Sequence, residues 1–87
     1  MLAIAYGHDV GYSLHYVQMA REKEIGQRIL EKRRELGLSQ EDLAGRTGLD
    51  RSFLSEIENG HKNISVNTLY RLAEAMNVSA AYLLGEE

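Results

Sequence analysis

The sequence predicts an all-α fold of five helices, and three observations carry that prediction. Apolar residues between about Arg21 and Gly85 recur at helical spacing, most plainly Val66, Leu69, Leu72, Ala73 and Met76. Ser39, Asp50, Ser65 and Ser79 each stand just before a helical stretch, where an oxygen-bearing side chain caps a helix start. Gly37, Gly60 and Gly85 stand just beyond such stretches, where a left-handed residue stops a helix. No segment after the N-terminal residues alternates as a strand does. With 87 residues and no repeat or low-complexity segment, the chain reads as one small domain, residues 21–87, preceded by an N-terminal extension, residues 1–20.

The first helix is read over Arg21 to Leu36, REKEIGQRILEKRREL, with Ile25, Ile29 and Leu36 as its apolar stripe and Gly26 as a mild flaw. Ser39 then caps a second helix, and Asp42 three residues on completes a variant of the capping box. Leu43 and Ala44 give that helix its buried face, and it ends near Arg46 or Thr47. Thr47-Gly48-Leu49 forms a tight corner, with Gly48 supplying a positive φ. Asp50 caps the third helix, which turns Leu54 and Ile57 inward and ends at Asn59-Gly60. After the loop HKNI, Ser65 caps VNTLYRLAEAMN and Ser79 caps the short AAYLL helix.

Composition narrows the function. The absence of cysteine removes disulfides and thiolate metal sites and points to a reducing compartment. Apolar runs are far too short to span a membrane, and the first residues lack the features of a signal peptide, so a cytoplasmic protein is expected. His8, His15 and His61 match no metal-ligand spacing, and no nucleophile, base and orienter fall together. Neither cofactor nor enzymatic activity is expected.

The third helix carries the chemistry. Arg51, Ser52, Ser55, Glu56 and Asn59 share one face, opposite Leu54 and Ile57, and a compact polar row of this kind suits a polar partner. Two short helices joined by a glycine-containing turn, with such a row on the second, make a helix-turn-helix.

The stretch IGQRILEKRRELGLSQEDLAGRTGLDRSFLSEIENG, followed by NISVNTLYRLAEAMNVS, resembles the XRE, or Cro/C1-type, family of bacterial and phage DNA-binding proteins. The likeness runs from about Ile25 to Leu84 and implies a five-helix, lambda-repressor-like domain with a helix-turn-helix. LDRSFLSEIENGHKNIS is also similar to the controller proteins of restriction-modification systems. Position by position, the resemblance implies base reading in the major groove by Arg51, Ser52, Phe53, Ser55 and Glu56. Arg51 suits guanine O6 and N7, Glu56 suits cytosine N4, and Phe53 either meets a thymine methyl or packs. Phosphate contacts are implied for Gln40, Thr47, His61, Lys62 and Asn63, and a structural ion pair for Arg33 with Glu58. Lys32 stands where the family is often apolar, and Leu30 and Leu36 where it is often polar, so the first helix's stripe is expected to be rotated.

The partner implied is double-stranded DNA with a palindromic operator, bound by a homodimer. In the family the last helix commonly forms the dimer interface, here Tyr82, Leu83 and Leu84. Residues 37–62 carry three cations against five carboxylates within a chain of net charge -3. Asp50 and Asp42 are expected to be engaged in caps and Glu58 with Arg33, leaving few phosphate neutralisations and a shallow salt dependence. The alternative is a module that binds a protein partner, as an antitoxin-type regulator does. The extension holds apolar LAIAY and Tyr6, Tyr12 and Tyr16, and is expected to order against the core or a second subunit. It would do so as a strand at residues 2–6 or as a helix from about Tyr12, although Met19 is itself a plausible initiator.

Overall fold

The computed structural model describes the backbone from Val10 and side chains from Arg21 to Glu87. Five helices follow in order: α1, Val10–Glu35; α2, Gln40–Thr47; α3, Arg51–Glu58; α4, Val66–Ala75; and α5, Ala80–Leu84. There is no strand among the described residues. The expected strand at residues 2–6 lies outside them, as do the side chains of Tyr12 and Tyr16.

Local chemistry accounts for most helix ends. The Ser39 hydroxyl accepts the Asp42 N–H while the Asp42 carboxylate accepts the Ser39 N–H, each at 2.9 Å, so the capping box closes reciprocally. Ser65 and Ser79 accept from the N–H groups of Thr68 and Tyr82. At the end of α3, Gly60 N–H returns to the Ile57 carbonyl and His61 N–H to that of Glu56, the paired bonds of a Schellman motif. Gly60 adopts φ 76° there, a left-handed value that a side chain would strain.

Two expectations need correction. Asp50 occupies the N-cap position of α3 in extended conformation, but its side chain makes no cap hydrogen bond. The first helix begins at Val10 rather than Arg21 and continues unbroken through residues 20 and 21.

The core is a single cluster. Ile29 of α1, Leu43 and Ala44 of α2, Leu54 and Ile57 of α3, Leu69, Leu72, Ala73 and Met76 around α4, and Leu83 of α5 are all buried. Their spacing on each helix is the helical stripe of the sequence, which places every helix with one face inward. Two stripe members fall outside: Leu36 and Val66 are exposed, because α1 ends before Leu36 and Val66 opens α4 on the surface. Lys32 lies across the Tyr82 ring, 5.2 Å from its centroid, with its ammonium group on Glu35, so a long apolar stem covers the end of α5.

Gly26 is more than a flaw. A Cβ built there would stand 2.2 Å from the Ile57 carbonyl oxygen and 3.0 Å from that of Glu58. Helix α1 therefore crosses the last turn of α3 in direct backbone proximity, which only glycine permits. This crossing seats α3 on the domain.

Candidate nucleic-acid interface

Behind α3 lies a buried polar hub. Arg33 reaches across from α1, and its Nε and Nη2 donate to the two Glu58 carboxylate oxygens at 2.7 and 2.9 Å. Its remaining nitrogen, Nη1, donates to the Leu38 carbonyl at 2.9 Å. Gln40 Nε2 adds a third donor to Glu58, at 3.0 Å. Both charged residues are buried, Arg33 to 8% and Glu58 to 5% exposure. A planar guanidinium suits this fork, and it repays the desolvation of the pair through several bonds. The hydrogen bonds that Arg33 donates to Glu58 raise the pKa of its guanidinium above the ordinary value. One hub thus joins the C-terminal end of α1, the α1–α2 link, the first turn of α2 and the last turn of α3.

On the outer side, Arg51, Ser52, Glu56 and Asn59 are exposed, and Ser55 is half-buried on the same face. Phe53 is half-buried and packs against the core. The loop after α3 presents His61, Lys62 and Asn63 to solvent. Lys62 Nζ lies 3.9 Å from the Glu56 carboxylate. Gln40 is half-buried, with an amide donor spent on Glu58.

Thr47 is placed otherwise than the phosphate role requires. It is buried, and its hydroxyl bonds back to the Leu43 carbonyl at 2.8 Å and lies 3.2 Å from that of Ala44. Its single proton is used at the end of its own helix, so the side chain has none to offer a phosphate. Leu83 likewise departs from the interface role. At 0% exposure it belongs wholly to the protomer's own core, leaving a partner only the half-buried Tyr82 and Leu84.

Sequence reasoning missed three supports of this face. The Gly26 crossing carried a signal, a glycine amid strong helix formers. Arg71 of α4 donates to the Thr47 carbonyl at 3.3 Å, bracing the corner from a remote helix. The Lys62–Glu56 pair straddles a helix end, where the regular i, i+4 rule does not apply.

A short helix, a left-handed corner at Gly48 and a second helix with its polar row outward together define a helix-turn-helix DNA-binding domain. The chain belongs to the helix-turn-helix family, whose model matches residues 29–83. Its relatives are transcriptional regulators of that type. It is 41% identical over 66 residues to the uncharacterized HTH-type transcriptional regulator y4dJ of Sinorhizobium fredii, covering 76% of this chain and 86% of that one. The solved restriction-modification controller protein C.AhdI from Aeromonas hydrophila superposes with a TM-score of 0.71 at 41% identity, covering 74% of this chain and 97% of that one. SinR, the master regulator for biofilm formation, solved in complex with DNA, superposes with a TM-score of 0.65 at 41% identity, covering 69% and 97%. The family assignment and the site agree on a DNA-binding regulator rather than an enzyme.

Proposed function

We propose that the chain is a sequence-specific transcriptional regulator, in the first instance a repressor of its own or a neighbouring operon, reading the major groove with α3 as a homodimer. The observation that carries this reading is the exposed row of Arg51, Ser52, Ser55 and Glu56 on a helix fixed from behind by the buried Arg33–Glu58 pair. Preorganised side chains on a rigid helix lose little on binding and can discriminate between base edges. Arg51 is the guanine reader and Glu56 the cytosine reader, while Gln40, His61, Lys62 and Asn63 face the flanking phosphates.

The dimer rests on apolar surface around the α5 end. Leu84 lines a cavity of about 250 Å³ together with Ile25, Ile57, Ile64, Val66 and Leu69. Val66, at its edge, is 69% exposed. A twin covering this surface would set two copies of α3 on one side of a duplex, one helical turn apart. The 1–20 extension is read as an addition to the regulator domain of residues 21–87.

Selection from a random duplex library by the purified protein at low salt tests the proposal. Enrichment of an inverted repeat with half-sites about 34 Å apart is the expected result. Failure to enrich any sequence would overturn DNA reading and direct attention to a protein partner.

A further inference from the structure

Lys62 has two candidate partners, a DNA phosphate and the carboxylate of Glu56, and the structure places it with the carboxylate at 3.9 Å. Exposed ion pairs are usually dispensable because two long side chains must be held together against their own freedom. Here the backbone has already met part of that cost. His61 N–H is bonded to the Glu56 carbonyl at 2.9 Å, and Gly60 N–H to that of Ile57 at 3.0 Å, so the chain leading to Lys62 is tied to the residue it pairs with. Gly60 is fixed in turn by its left-handed φ of 76° and by Lys23, whose Cγ would stand 2.6 Å from any Cβ at that position. The Schellman turn thus delivers Lys62 to the C-terminal side of Glu56.

Glu56 is also the only carboxylate in the candidate base-reading row, and it must face a polyanion. An untethered, unneutralised carboxylate there would swing among rotamers and repel phosphate and base acceptors alike. We infer that Lys62 is a positioning residue for base readout: it holds the Glu56 carboxylate toward the groove and partly offsets its charge, sharpening the choice of cytosine at the position Glu56 faces. The inference rests on the proposed reading of α3 as the base-contacting helix, and it assigns Lys62 a role beyond the phosphate contact suggested by the resemblance.

The two roles differ in what they do to sequence preference. A phosphate contact alone weakens binding equally for all sequences and reduces the salt slope. A positioning role changes preference at one position. The test is library selection followed by binding titrations on the enriched duplex and its single-base variants. Wild type, Lys62→Ala, Lys62→Arg, Glu56→Gln and the double variant Glu56→Gln/Lys62→Ala are compared. Thermal melting of each protein checks that the exposed-loop changes leave the fold intact.

Glu56→Gln is expected to change preference at one half-site position. Lys62→Ala should relax cytosine preference at that same position by about two- to five-fold, the range for one exposed ion pair. Lys62→Arg should restore it, and Lys62→Ala should add no further loss of preference once Glu56 is Gln. Uniform weakening by Lys62→Ala, an unchanged preference or a sharper one would each overturn the inference while leaving Glu56 as a base reader. If no position responds to Glu56→Gln, both the inference and the base-reading role of Glu56 fail. If wild type enriches nothing, the proposed function fails first.

Discussion

Glu58 shows how much of this protein turns on single side chains. Its buried carboxylate accepts from Arg33 and Gln40, and nothing else among the described residues neutralises Arg33. Glu58→Gln keeps the shape but leaves a buried guanidinium without its counter-charge. Breaking such a pair costs about 3–5 kcal/mol, against a total stability of about 5–15 kcal/mol for a domain of ordinary stability. The expected outcome is a large fall in melting temperature, with much of it regained in the double variant Arg33→Met/Glu58→Met. A melting point unmoved by Glu58→Gln would show that the pair is solvated in solution.

At the scale of elements, the placement of α3 depends on the α1 crossing at Gly26. Gly26→Ala forces a methyl against the Ile57 carbonyl, where both neighbours are backbone and cannot swing aside. Overpacking of this kind costs about 1–3 kcal/mol, so the variant should melt lower by roughly 4–8 °C for each kcal/mol lost. It should also bind DNA more weakly than its stability alone accounts for. Equal melting of Gly26→Ala and wild type would place the two helices farther apart.

The start of α2 gives a pH signature. The hydrogen bond from Ser39 N–H holds the Asp42 carboxyl below its ordinary value of 3.8. A carboxylate depressed in the folded state adds stability above the unfolded value, and that stability is lost as pH falls through the folded value. Asp42→Asn should therefore melt below wild type at neutral pH, with the gap closing as the pH drops below about 4. Parallel melting curves across that range would show that the carboxylate end of the box is idle.

The helices themselves were largely legible in the sequence, since caps such as Ser39, Ser65 and Ser79 act within a few residues of themselves. Asp50 shows the limit of that reading: spacing marks the cap position, but the cap bond depends on a rotamer that spacing does not specify. The outward face of α3 was legible for the same local reason. Thr47 and Leu83 were not, because their burial is decided by neighbours distant in sequence. Gly26 was visible as an anomaly, but its meaning required knowing that α3 lies against it.

For the whole molecule, the central tension is a net charge of -3 on a chain that carries a DNA-binding domain. The structure resolves part of it by using charges internally: Glu58 with Arg33, Asp42 in its capping box, and Glu56 with Lys62. Asp50 remains outside that pattern, at the cap position beside Arg51 and without a side-chain cap bond. Lys62 is the only lysine or arginine among the candidate phosphate contacts, so each subunit neutralises few phosphates. With a slope of about -0.9 per phosphate neutralised, the log-log salt dependence should be about -1 per subunit. A much steeper slope would mean that cations outside α3 and its loop dominate binding.

Base reading by α3 turns on Arg51, the first exposed side chain of its polar row. Wild type and Arg51→Ala should be carried through the same random-duplex selection in parallel. Loss or relaxation of guanine at one position of each half-site, with the rest of the inverted repeat retained, is the predicted result. An unchanged consensus, merely bound more weakly, would place Arg51 on the backbone and contradict the assignment of α3 as the reading helix.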